Sequence, residues 1–143
     1  FHLQRTSPVV DAPSIGPIAA ERLAGVGIRT VADLLNASPE STAQELGEAK
    51  VTAAVITRWQ REARLVCRIP ELRGVGAQLL VASGFHEAEQ VAGAKSDDLV
   101  QRVRETCRGP QGQRILRNGG APSSERIAEW IRHAAQMRPL EAA

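Results

Sequence analysis

The sequence predicts an all-α domain in which one small helical unit is used twice. Three observations carry this. Ala, Glu, Arg and Gln are plentiful while β-branched runs are short, a composition that favours helix over strand. Glycines and prolines fall where helices start and stop. Residues 13–38 and 70–95 also align without a gap at a constant offset of 57 (Gly27 to Gly84). Pro13 then matches Pro70, Ile15 matches Leu72, Ala20 matches Ala77, Leu23 matches Leu80 and Leu34 matches Val91. Such self-similarity marks a supersecondary unit that packs against its own copy.

The elements follow in order. Phe1 to Ala12 reads as non-helical, since Ser7-Pro8 and Ala12-Pro13 each disfavour helix before the proline. Pro17, preceded by Gly16, opens a short helix carrying Ile18, Ala19 and Leu23, which stops at Gly25. Gly27 supplies the positive φ that the reversal needs. Thr30 with Asp33 is a capping box for "TVADLLN". Ser38-Pro39-Glu40 opens the next helix, which Gly47 ends. The longest helix is expected over roughly 50–67, with Val55, Ile56, Trp59, Ala63, Val66 and Cys67 on one face and Arg58, Arg61, Arg64 and Arg68 on the other. That second face is either a basic stripe for nucleic acid or an ordinary solvated face helped by Glu62 beside Arg58. Ser96-Asp97-Asp98 is expected to cap a helix ending near Cys107, "RGPQGQRILRNGGAP" to give a turn, a short helix and a loop, and Ser123 to cap a last helix carrying Ile127, Trp130, Ile131 and Ala134. The division that follows is a linker over 1–7, units over 8–69 and 70–138, and a frayed tail over 139–143.

Composition narrows the function. A net charge of +2 over 143 residues does not by itself demand a polyanion partner, although the cations are nearly all Arg, which binds phosphate and carboxylate equally well. No apolar run approaches the length of a membrane span, so no membrane partner is expected. No charged-then-apolar leader opens the chain, so a cytoplasmic location is expected, and the initial Phe1 suggests a piece of a longer protein. Cys67 and Cys107 lack metal-ligand spacing and read as reduced, buried thiols.

The turns carry a resemblance. "PSIGPIAAERL" resembles the helix-hairpin-helix motif, and the segment from Glu21 to Trp59 is similar to the C-terminal domain of the RNA polymerase α subunit, through Gly27-Ile28, Thr30-Val31, Asp33-Leu34-Leu35, Leu46-Gly47 and Lys50. From about Pro13 to Ala134 the chain resembles an uncharacterised bacterial domain family of tandem helix-hairpin-helix, SAM-like units. The resemblance implies a module whose helix N-termini offer backbone N–H groups to DNA phosphates, with little base reading. The phosphate positions it implies are Ser14, Ile15, Gly16 and Ile18 in the first hairpin and Gly47, Ala49 and Lys50 in the second, with charge from Arg22, Arg29 and Lys50; Arg58 and Arg61 join them from the basic face of the long helix. There are departures: Ser14 stands for the first hairpin glycine, Glu48 sets a carboxylate beside the second, and Glu71-Leu72-Arg73-Gly74 puts an acid and a bulky residue where small ones belong. The cationic, glycine-rich Arg108-Gly109-Pro110-Gln111-Gly112 fits the motif poorly.

No catalytic constellation stands out, so an enzyme is not expected. His2, His86 and His133 are scattered, Asp97-Asp98 suits a helix start, and Gly25-Val26-Gly27 lacks the strand and third glycine of a dinucleotide fingerprint. Helix-hairpin-helix glycosylases carry a catalytic Asp or Lys after the hairpin, where this chain offers Glu21 and Arg22. Trp59 and Trp130 lie on apolar faces and read as core anchors. The expected function is a non-catalytic module binding duplex DNA through its backbone, with no cofactor, metal or small-molecule substrate. The alternative is a protein-interaction scaffold, motivated by the near-neutral charge, Glu48 and Glu71; a weaker reading is contact with RNA phosphates.

Overall fold

The computed structural model describes residues 2–140 and is all-helical over that range. A short 3-10 turn at Val9–Asp11 precedes α1 (Pro17–Gly25), α2 (Val31–Asn36), α3 (Pro39–Leu46), α4 (Ala53–Arg68), α5 (Gly74–Ala82), α6 (Ala88–Ala92), α7 (Ser96–Arg108), α8 (Pro110–Leu116) and α9 (Ser124–Ala134). Among these helices none is long and apolar enough to cross a membrane.

Most boundaries fall where local chemistry puts them. Pro17 takes the first position of α1, Thr30 and Asp33 cap α2 reciprocally, and the Ser38 hydroxyl accepts from the Ser41 N–H. Gly47 ends α3 in the left-handed conformation. Two starts shift. The long helix begins at Ala53, because the Thr52 hydroxyl accepts from the Val55 N–H, and Ser96 is the first residue of α7 with Lys95 before it.

The repeat is written into the backbone. Ser14 and Glu71 hold left-handed φ values of 69° and 66°, Gly27 and Gly84 values of 89° and 93°. The Ile28 and Phe85 N–H groups donate to Leu23 and Leu80 carbonyls at 2.9 Å in both copies. Glu87 and Gln90 form the box that Thr30 and Asp33 form in the first unit. The correspondence then continues beyond the stretch visible at offset 57. Thr52 and Ser123 are equivalent N-caps, and Ile56, Trp59 and Ala63 of α4 match Ile127, Trp130 and Ala134 of α9, all buried, at an offset of 71 (Trp59 to Trp130). The packing agrees: α4 lies on α2 and α3, as α9 lies on α6 and α7. The longer α7 and all of α8 are therefore an insertion in the second unit, and α8 packs on α5 and α7.

Three expectations are corrected by the tertiary structure. Residues of the expected linker belong to the core: Leu3 is 1% exposed. The Arg5 and Ser7 carbonyls accept from the Ala32 and Val31 N–H groups at 2.8 and 3.0 Å, so this segment satisfies the orphan donors at the start of α2. The arginine face of α4 is only partly solvated. Arg58, Arg61, Arg64 and Arg68 are each half-buried, because α2, α3 and α5 pack on α4, and Arg58 keeps 41% of its side chain exposed. Arg68 donates to the Arg138 carbonyl and pairs with Glu89 at 2.8 Å. In the expected frayed tail, Leu140 packs against the core, while positions 141–143 lie outside the described residues. A single hydrophobic cluster runs through both halves, from Leu3 to Ala134.

Candidate nucleic-acid interface

The two left-handed turns that open the units meet. A Cβ on Gly74 would stand 3.8 Å from the Pro13 Cβ, and Gln78 Nε2 donates to Ser14 Oγ at 2.8 Å. Ser14 Oγ in turn donates to Glu62 Oε1 at 2.6 Å. Glu62 is buried on the side of α4 facing this junction, 3.9 Å from Arg58. Burial raises the Glu62 pKa, and the Ser14 hydroxyl and Arg58 oppose that rise.

Above this junction lies a groove of about 680 Å³ bordered by Ser14, Gly16, Arg58, Arg73, Arg114 and Arg117. One helix start opens on it, that of α5, where Arg73, Gly74 and Val75 border the groove without a side-chain cap, and Gly16, which precedes α1, borders it as well. The partial positive charge of that helix start adds to that of the arginines. Among the described residues Arg73, Arg114 and Arg117 have no ion-pair partner; Arg58 has Glu62. Ser14 and Arg117 are two of the four non-glycine residues with positive φ among the described residues, and such conformations persist where surrounding structure holds them.

The residues expected from the sequence are divided. Ser14, Ile15, Gly16 and Arg58 border the groove. The Ile15 side chain is buried, and its N–H donates to the Ala12 carbonyl. The Gly47 N–H is spent on the Ala43 carbonyl at 3.1 Å. Ile18 and Arg22 instead border a separate apolar cleft, and Arg22 is ion-paired with Glu48 at 3.1 Å. That pairing is the repulsive carboxylate of the sequence turned into a partner, and it consumes part of the charge assigned to phosphate. Arg29, Ala49 and Lys50 are exposed but outside the groove, and Arg61 is half-buried.

Arg73, Arg114 and Arg117 were not among the expected residues. Two come from the α8 insertion, whose signal in the sequence is the cationic run after Arg108 and the break in the 57-residue offset. Among the described residues, no cluster of three or more His, Cys, Asp or Glu side chains could hold a metal ion.

A family model described as "Domain of unknown function (DUF4332)" matches residues 13–137. No curated protein and no solved structure matches the chain.

Proposed function

The chain belongs to the DUF4332 family of domains of unknown function, and on that premise we propose that it is a non-catalytic module that binds the phosphate backbone of duplex DNA in the arginine-lined groove between its two hairpin-like turns. The observation that carries the reading is the convergence of Arg58, Arg73, Arg114 and Arg117 with the uncapped start of α5 on one groove. Guanidinium forks and free N–H groups are the chemistry that holds phosphate oxygens. The groove borders contain no exposed carboxylate, since Glu62 is buried beneath them. Little base reading is expected, because contact with phosphates positions a protein without specifying sequence.

The test is a titration of duplex DNA at low and moderate salt, with the intact chain and with Arg73, Arg114 and Arg117 changed to Ala. Affinity that falls steeply with salt and drops in the variants supports the reading. Absence of binding at low ionic strength overturns it. Binding that survives these changes but is lost on altering Gly16 and Lys50 returns the site to the positions first read from the sequence.

A further inference from the structure

The arginine-lined groove has an acid in its floor. Among the described residues that border it, Glu62 is the single carboxylate, and it is 2% exposed. The inference rests on the reading of this groove as a phosphate site and concerns what the carboxylate does when a phosphate arrives.

Glu62 is faced from several elements. Arg58, one turn back on α4, stands 3.9 Å from Oε2. The turn before α1 brings the Ser14 hydroxyl, which donates to Oε1 at 2.6 Å. From α5, Gln78 donates to that same hydroxyl at 2.8 Å, and Arg73 borders the groove at the helix start. Arg114 and Arg117 border it from α8 and its C-terminal end. The helices α2 and α3 also pack on α4. Their acids are engaged elsewhere or solvated: Asp33 accepts from the Arg29 and Thr30 N–H groups, Glu40 from the Ser38 hydroxyl, and Glu45 is exposed. The charge that acts on Glu62 is that of Arg58.

Burial already favours the protonated carboxyl. A phosphate held by the Arg58 fork stands one guanidinium away, and its negative charge favours protonation further. Protonation also turns the hydrogen bond round. The carboxyl O–H then donates to Ser14 Oγ, which still accepts from Gln78, and the exposed Ser14 hydroxyl is free to donate its own hydrogen to a phosphate oxygen. One proton thus removes a like charge from beneath the groove and supplies a donor at its surface.

We propose that Glu62 takes up a proton as the groove binds DNA phosphate, so that affinity is proton-linked through this one carboxylate. The linkage is reciprocal: bound phosphate raises the proton affinity of Glu62, and the proton raises the affinity for phosphate. This contribution is full below the pKa of Glu62 in the free chain, is lost as pH rises towards its value in the complex, and is absent above that.

The test compares the whole chain with Glu62→Gln, whose neutral amide stands in for the protonated carboxyl, by anisotropy of a labelled mixed-sequence duplex from pH 5 to 8 at one low salt concentration. The variant is expected to bind about tenfold tighter at pH 8, the equivalent of one pKa unit, with the gap closing as pH falls. His2, His86 and His133 do not border the groove, so their charging is common to both chains. In the unaltered chain the carboxyl carbon NMR signal of Glu62 is expected to titrate at higher pH in the complex than in the free state. Salt-dependent binding with the same pH profile in both chains, or a Glu62 signal that titrates alike free and bound, overturns the proposal and leaves the phosphate reading standing. Absence of duplex binding at low ionic strength overturns both.

Discussion

The hydroxyl of Ser14, held in a left-handed turn, donates to the buried carboxylate of Glu62 at 2.6 Å, forty-eight residues along the chain. This bond ties the first turn to α4, and Gln78 extends it to α5. One hydrogen-bonded chain therefore links the first turn to α4 and α5 beneath the groove. Such networks rigidify a site when each member is satisfied, and they penalise a charge that is only partly compensated.

Glu62→Gln is expected to raise the thermal midpoint at pH 7. Burial lifts the Glu62 pKa above its ordinary 4.5, so protonation favours the folded state. Its contribution is full below pH 4.5 and is lost as pH rises through the folded value. Glutamine keeps an acceptor for Ser14 and removes the buried charge, so the gain should vanish on acidification. Thermal melts of both chains from pH 4 to 8 check this; a lower midpoint for the variant at pH 7 would show that Arg58 outweighs burial.

Loss of Arg73, Arg114 and Arg117 together is expected to lower the slope of log affinity against log salt by about 3, close to one for each phosphate contact removed. The affinity loss should be similar across unrelated duplex sequences. Fluorescence anisotropy at several salt concentrations measures both quantities. A change confined to one sequence would point to base contacts instead.

Gln60 Nε2 donates to both the Leu34 and Ala37 carbonyls at 2.9 Å and so closes the C-terminal end of α2. Gln60→Ala leaves these carbonyls without that donor in a largely buried place and is expected to cost about 1–3 kcal/mol in urea unfolding. Gln60→Leu should not recover the loss, because the deficit is a donor and not volume.

Gly112 is where α8 crosses closest to α7. A Cβ there would stand 2.6 Å from the Cys107 Cα and closer still to the Thr106 carbonyl oxygen. Gly112→Ala must push backbone apart and is expected to cost about 3 kcal/mol despite a better helix propensity. At Gly25 a Cβ meets nothing within 4 Å, so Gly25→Ala should be neutral or stabilising by up to about 1 kcal/mol. Paired chemical denaturation curves distinguish the two positions.

Cys67 and Cys107 are both free and buried. Burial pushes the Cys67 thiol up to about 11, against the pull of Arg138, Arg5 and Arg64, and Cys107 is raised for the same reason. Neither thiol should react with a disulfide reagent at pH 8 in the native chain, and both should react after unfolding. Rapid labelling of a native thiol would show local opening around the ends of α4 or α7.

Much of this molecule was legible one turn at a time. Pro17, the Thr30–Asp33 box, Ser38, Gly27 and Gly47 act on backbone groups within four residues of themselves, so their spacing alone places the helix ends. The repeat was legible up to Lys95. Its continuation into α9 was hidden because α8 interrupts the offset, although "ITRWQREA" and "IAEWIRHA" share isoleucine, tryptophan and alanine in the same positions. The arginines were legible as charges but not as a site. Arg22 and Arg58 found carboxylate partners, Arg68 a carbonyl and Glu89, while Arg73 at the start of α5 was brought to Arg114 and Arg117 of α8.

The sequence by itself determined the all-helical class, the position of most helix ends and the use of one unit twice, because these depend on dihedral preference and hydrogen bonds between near neighbours. Only the tertiary structure decided that the opening segment satisfies α2, that α2, α3 and α5 half-bury the arginines of α4, and that the groove and the open cleft lie where they do. Those outcomes depend on which distant surfaces exclude water together, and a hydrophobic face is non-directional: its pattern says that it will be buried, not against what.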